Sequence, residues 1–189
     1  MGIILASASP RRQELLRQVG CNFTVRISDV VEDNHQDLLP QELAVFHAKA
    51  KAVDISLKSS VDDVIIGADT IVVLDGKVYG KPIDIDDARC ILTHLSGKEH
   101  QVITGIAVVK AGKAWTDFVV TTVKFGNLTS ETIEKYLATG EPLDKAGAYG
   151  IQGIGVLLVE EIKGCYNNVV GLPLYKLSDV LMKAGVPLL

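Results

Sequence analysis

Little in this chain is aromatic. Only 5% of its 189 residues are Phe, Trp or Tyr, with a single Trp, although 48% are hydrophobic. A core drawn from such a sequence has to be aliphatic and β-branched. Cysteine is scarce too: Cys21, Cys90 and Cys165 are far apart, odd in number and without CxxC spacing. That leaves no evident disulfide framework and predicts buried, non-catalytic thiols in a reducing, cytoplasmic setting. No apolar run reaches the length of a membrane span. No basic stretch followed by an apolar core opens the chain, so no signal peptide is expected. The net charge of −4 leaves no general basic coat for nucleic acid or a membrane surface.

Familiar motifs are missing as well. Gly76-Lys77, Gly80-Lys81 and Gly97-Lys98 do not complete a phosphate-binding P-loop, and no G-x-S-x-G or H-E-x-x-H occurs. The glycines near Gly153 do not form G-x-G-x-x-G after a strand. His35, His47, His94 and His100 lack helical ligand spacing and read as ordinary surface or boundary residues.

What is present begins with Ser7-Ala8-Ser9-Pro10-Arg11-Arg12. Pro10 suits the first helical position, which puts Ser9 at the N-cap and both arginines in the first turn. Cations there oppose the helix macrodipole, an arrangement that makes sense when an anion binds. Free N–H groups, hydroxyls and guanidiniums together make a phosphate site. Two solvated arginines on a surface helix would fit the same six residues. A local basic pocket in a mildly acidic chain points to a small anionic ligand.

Taken in order, the pattern predicts a strand over residues 1–5 and a helix to about Val19, with Leu15, Leu16 and Val19 inward. A strand follows over 23–27, then an acidic irregular stretch over 28–39. A helix opens at Pro40, with Leu43, Phe46, Ala50 and Val53 on its apolar face and His47, Lys49 and Lys51 on other sides. The strongest strand is 64–74, and Asp69 stands in its middle. Apolar neighbours on both sides imply burial on both faces, so this carboxylate needs a partner, a metal or a raised pKa, or else backbone N–H groups at a bulge marked by Gly67. Asp75-Gly76 signals a hairpin. Asp84 caps a helix over 86–95, and two long strands flank Ala111-Gly112 across 101–125. A helix starts at Thr129 or Ser130 and ends by Gly140-Glu141-Pro142. Residues 144–155 form a glycine-rich loop where backbone can approach a ligand, and Gln152 within it can read a nucleobase edge. A strand over 156–160 and a helix over about 174–184 complete the chain. Hairpins mixed with helical crossovers predict an α/β fold with a mixed twisted sheet and flanking helices. One domain over residues 1–189, or two small lobes around a cleft, fits the length.

The scattered parts make one chemistry. Arg11, Arg12, Lys49 and Lys81 can neutralise a polyphosphate. Glu32 and Asp69 can hold a hard divalent cation. Thr70 and Gln152 can read a base. Cations, a metal and an oriented water suffice for phosphoanhydride cleavage without a covalent nucleophile.

The chain resembles the Maf proteins, nucleoside triphosphate pyrophosphatases related to the inosine triphosphatase-like fold. The resemblance rests on residues 7–12, Lys49-Ala50-Lys51-Ala52-Val53, Gly67-Ala68-Asp69-Thr70, Gly80-Lys81-Pro82, Leu95-Ser96-Gly97, residues 144–153 and Gly171-Leu172-Pro173, all in order. It implies two lobes around a central cleft and a single such domain over 1–189. It implies Asp69 as proton acceptor, Ser7, Arg12, Lys49 and Lys81 on the phosphates, and Glu32 helping with metal or water. Arg11, Thr70 and Gln152 match the trio that marks members acting on dTTP and UTP. The implied products are nucleoside monophosphate and pyrophosphate, and the implied cofactor is a divalent cation, Mg²⁺ or Mn²⁺, at Glu32 and Asp69. One departure is Val31, where many members carry an acid. The resemblance also admits a homodimer, and a nucleotide-sensing role in septum formation or arrest of division as the alternative to catalysis.

Overall fold

The structure is a computed structural model, and it describes residues 2–33 and 37–188. His35 lies outside the described residues. Among the described residues seven strands form one mixed sheet: β1 (Ile3–Leu5), β2 (Phe23–Val25), β3 (Val64–Leu74), β4 (Lys77–Tyr79), β5 (Glu99–Lys110), β6 (Lys113–Phe125) and β7 (Val159–Lys163). They run in the order β2-β1-β3-β5-β6-β7, with β4 attached to β3. The β1 pairings with β2 and β3 are parallel, and the others are antiparallel. The expected mixed α/β architecture is therefore the one observed.

The pairing of β3 positions everything else. On one edge it pairs with β5 residue for residue from Ile65 to Val73. On the other edge it pairs with β1 only up to Ile66 and with β4 only from Val72 onward. Among the described residues, no strand covers Gly67–Ile71 on that second edge. The register with β5 stays regular through Gly67 and Asp69, so the carboxylate does not sit at a bulge.

Alternation along β3 divides its side chains between two faces. Val64, Ile66 and Ala68 pack into one apolar cluster with Leu5, Leu16 and Leu172. Val72 and Leu74 pack into another with Leu92, Phe125 and Tyr136. Thr70 falls between these two clusters on the same face. The opposite face carries Ile65, Gly67, Asp69, Ile71 and Val73 and lies under α2 (Pro40–Leu57).

The apolar face expected for α2 is corrected by the structure. Phe46 is 46% exposed, and the buried stripe is Leu43, Ala44, His47, Ala48, Ala52 and Ile55. The reason is close approach of two backbones. A Cβ on Gly67 would lie 2.2 Å from the Ala48 carbonyl oxygen, and one on Gly105 would lie 2.3 Å from the Ala44 carbonyl. Alanines on the helix and glycines on β3 and β5 let the helix sit directly on the sheet.

The other helices are α1 (Pro10–Gln18), α3 (Ile85–Leu95), α4 (Ser130–Leu137), α5 (Tyr166–Val170) and α6 (Leu174–Lys183). Ser9, Asp84 and Thr129 cap α1, α3 and α4 through side-chain oxygens. The last strand begins at Val159 rather than 156, because residues 154–158 form a tight 3-10 turn. The short α5 is absent from the sequence reading. His47 and His100 are buried at 1% and 2% exposure instead of lying at the surface, whereas His94 is exposed. The expected burial of the thiols holds only in part: Cys21 and Cys165 are half-buried and Cys90 is exposed. No described helix is long and apolar enough to cross a membrane.

Candidate active site

A cavity of about 420 Å³ opens at the uncovered edge of β3. It draws its walls from the β1–α1 loop, β3, Gly80-Lys81, residues 144–152 and residues 169–171. The interruption in pairing lets both faces of β3 reach this one space, so neighbouring residues Asp69 and Thr70 line it together.

The β1–α1 turn forms one corner. The Ser9 hydroxyl caps α1 by accepting the Arg12 amide at 3.5 Å. Ser7 Oγ accepts from the Ser9 amide at 3.3 Å and from Arg12 Nη1 at 3.1 Å. Both acceptor positions of Ser7 are then filled, which leaves its hydrogen to donate toward an anion. Arg12 also donates to the Gly171 carbonyl at 2.8 Å, the Ala68 carbonyl at 2.9 Å and Thr70 Oγ1 at 3.0 Å. A guanidinium has five N–H groups, and four of these are committed to protein oxygens. Arg12 is thus an anchor joining three segments, with one N–H left for the cavity. Burial lowers its pKa; Asp69 and Glu32 oppose that fall and Arg11 adds to it.

Thr70 continues the chain of bonds. Its hydroxyl lies 2.9 Å from Thr104 Oγ1, and Thr104 donates to the Asn168 carbonyl at 3.0 Å. Arginine only donates and a carbonyl only accepts, so the order of protons is forced: Arg12 to Thr70, Thr70 to Thr104, Thr104 to Asn168. Asn168 is wholly buried, and its amide donates to the Val102 carbonyl and Thr121 Oγ1, both at 2.9 Å. Sequence reading gave no signal for Thr104 or Asn168, since neither belongs to a recognisable motif.

On the other face, Asp69 is 5% exposed and finds its partner in Lys51, with Nζ 2.7 Å from Oδ1. Glu32 Oε1 lies 2.5 Å from the same Nζ. The structure corrects the choice between the two lysines of α2. Lys49 is exposed and lines no part of the cavity. Residues two positions apart on a helix are rotated by about 200°. Lys51 follows His47 by one turn on the buried face, while Lys49 is exposed to solvent as Phe46 is. The spacing from Ala48 to Ala52 was the signal that could have picked out Lys51.

Burial would raise the Glu32 carboxyl, but Lys51, by charge and hydrogen bond, and then Lys81 and His47 outweigh it and hold it below the usual range. Val31 is 87% exposed and turns to solvent. Lys81 lines the cavity mouth. Arg11 also lines the cavity, and its Nη1 lies 3.0 Å from Asp144 across the opening. Gln152 is exposed into the cavity from the glycine-rich loop. Of the residues named from sequence, Ser7, Arg11, Arg12, Glu32, Asp69, Thr70, Lys81 and Gln152 converge here, and Lys49 does not.

Among the described residues, no group of three or more His, Cys, Asp or Glu side chains is arranged as a metal cage. Two carboxylates nonetheless converge on the point held by the Lys51 ammonium. Such a pair suits a hard cation that takes its remaining ligands from phosphate oxygens and water.

Residues 2–184 match the family model described as Maf-like protein. A protein of Acetivibrio thermocellus named dTTP/UTP pyrophosphatase is 49% identical over 195 residues, covering 99% of this chain and 97% of that protein. Proteins of the same name from Clostridium botulinum (strain 657 / Type Ba4) and Clostridioides difficile (strain 630) are 50% and 48% identical. They cover 98% and 97% of this chain, and 98% and 95% of their own lengths. A solved Mycobacterium abscessus structure, titled nucleoside-triphosphatase / dITP/XTP pyrophosphatase, is 14% identical with a TM-score of 0.42 over 69% of this chain and 75% of that one. With the family model matched along almost its whole length, and half its residues shared with such relatives, the chain belongs to the Maf-like protein family.

Proposed function

We propose that this protein hydrolyses nucleoside triphosphates, dTTP and UTP foremost and modified pyrimidine nucleotides of the same base edge, to nucleoside monophosphate and pyrophosphate. The observation that carries the reading is Asp69: a buried carboxylate at the uncovered edge of β3, facing a cavity with a phosphate corner on one side and Gln152 on the other. Three relatives of about half identity carry the name dTTP/UTP pyrophosphatase, which supports this choice of nucleotides.

In this reading Asp69 orients a water and takes its proton as the water attacks the α-phosphorus. Lys51 holds Asp69 in place, and Lys81 and Arg11 offset charge on the phosphates. Ser7 donates its free hydrogen to a phosphate oxygen, and Arg12 keeps Ser7, Thr70 and Gly171 in register. A divalent cation, Mg²⁺ or Mn²⁺, would be held by Glu32 and Asp69 and would supply charge neutralisation at the phosphates.

The test is a panel of nucleoside triphosphates incubated with the purified protein and Mg²⁺ or Mn²⁺, with products identified by phosphorus NMR. Monophosphate and pyrophosphate are expected. Orthophosphate would make the protein a phosphatase, and tight binding of dTTP without turnover would make it a sensor. Asp69→Asn should fold and lose about a thousandfold in kcat, within the range of general-base contributions. Near wild-type turnover in that variant would remove Asp69 from the chemistry.

A further inference from the structure

Gln152 reaches the cavity from the turn between buried Ile151 and the tight 3-10 turn at 154–158. Among the described residues no side-chain hydrogen bond holds its amide, so its placement depends on the backbone of Gly150–Gly155. The sequence suggested that these glycines let the chain approach a ligand. The structure gives a different reason. A Cβ on Gly153 would lie 2.2 Å from Glu141 Oε2, one on Gly150 would lie 2.4 Å from Lys145 Cε, and one on Gly155 would lie 2.6 Å from the Tyr136 hydroxyl. The loop is wrapped around side chains of the protein itself.

At the centre of that wrapping is Glu141. Its Oε2 accepts the Ile154 amide at 2.8 Å, and its Oε1 accepts the Gly155 amide at 3.1 Å and the Tyr136 hydroxyl at 2.9 Å. Tyr136 Oη in turn accepts the Gly150 amide at 3.1 Å. One carboxylate therefore controls both ends of the segment that carries Gln152, directly at 154–155 and through Tyr136 at 150. Burial would raise this carboxyl, but the two amides, the tyrosine hydroxyl and Lys145 hold it below the usual range. It is ionised at neutral pH, and bonds to a charged acceptor are the strong kind. Glu141 stands outside every motif that carried the family resemblance.

We propose that Glu141 is the positioning residue that fixes Gln152, and so sets how sharply the cavity discriminates between bases. This rests on the reading of Gln152 as a group facing the base. An amide side chain offers one donor group and one acceptor, and it distinguishes base edges only when its backbone holds it still. Glu141 touches neither the phosphate corner nor Asp69, so its loss should blunt discrimination and leave phosphate binding alone.

Glu141→Gln is the direct test. The amide presents one acceptor and one NH₂, so either the Ile154 or the Gly155 N–H must face a donor. For this variant kcat/KM for dTTP should fall about tenfold or more, carried mainly by KM. The ratio of dTTP to dGTP turnover should fall by a similar factor. Affinity for inorganic pyrophosphate, a probe of the phosphate side, should stay within about twofold of wild type. An unchanged nucleotide ratio overturns the proposal, and so does an equal loss of pyrophosphate affinity. Should Glu141→Gln fail to fold, Gly153→Ala pushes the loop off Glu141 from the other side and must show the same loss of ratio; a retained ratio there also overturns it. If the wild-type protein prefers a base other than thymine or uracil, the proposed substrate falls, and the ratio of best to poorest base still reads the role of Glu141.

Discussion

Acid should destabilise this protein through one buried histidine. His100 is 2% exposed, with its ring edge-on to Phe125 and Tyr149 at centroid distances of 4.9 Å and 5.5 Å. Its Nε2 lies 2.9 Å from the Tyr149 hydroxyl. Burial drops its pKa from 6.5 to about 4. In the unfolded chain the ring takes a proton near pH 6.5, and in the folded chain it refuses one until about pH 4. The stabilisation is complete above pH 6.5 and is lost as pH falls through that window, because the unfolded state then binds more protons. The full difference is worth about 3 kcal/mol, and some 2.5 kcal/mol of it is gone by pH 4.5. For a chain of this length that lowers Tm by about 5–10 °C. Glu32, Glu141 and Asp144 sit below their usual range and lose their contributions only at lower pH. Urea titrations at pH 7.5, 6.5, 5.5 and 4.5 should show the decline, and His100→Gln, which offers Tyr149 a partner but does not titrate, should flatten it. A wild-type profile that is level from pH 7.5 to 4.5, or a His100→Gln profile that falls just as steeply, refutes the reasoning.

Lys51→Met leaves Asp69 buried without its cation, which should cost about 3–5 kcal/mol in chemical denaturation and abolish turnover. Lys49→Met should change stability by less than about 0.5 kcal/mol and leave kcat unaltered, and a large loss there would restore Lys49 to the site. Gly105→Ala drives a methyl into the Ala44 backbone, so denaturation should show a loss of about 2–3 kcal/mol; a neutral effect would mean that α2 does not rest on the sheet as closely as the structure shows.

The elements with strong local signals were legible in the sequence. Pro10 after Ser9, Asp84 before α3 and Ala111-Gly112 between β5 and β6 each state a backbone geometry in one or two residues. The buried Asp69 was legible because a charge in an apolar run is costly without a partner. The partner itself was not legible, because α2 breaks the rule that large apolar residues mark the inner face. Its inner face is small, cut to fit Gly67 and Gly105, so the exposed Phe46 looked like core and Lys51 looked like surface. His100 looked like surface for a related reason: what buries it is Tyr149, from a loop 49 residues away, and no local pattern announces that contact. Glu141 reads as a helix stop for the same want of local signal, since its partners lie at 136, 154 and 155.

The site also depends on a pairing that is missing. Were β3 flanked along its whole length, Asp69 and Thr70 would project to opposite faces with a closed sheet between them. The carboxylate would belong to the α2 side and the hydroxyl to the α5 and α6 side, with no common ligand. Stopping β1 at Leu5, opposite Ile66, and ending β4 at Tyr79, opposite Val72, leaves Gly67–Ile71 bare on one edge, and both faces then open onto the same space. The chain leaving β1 turns at once into Ser7, Ser9 and the arginines, so the corner proposed to take the phosphates stands where the missing strand would have been. Arg12 replaces the lost ladder in part, taking the Ala68 carbonyl that a strand would have paired. The same arginine is thus an edge cap for β3 and an anchor of the β1–α1 turn. This explains why it commits four N–H groups to the protein while lining the cavity.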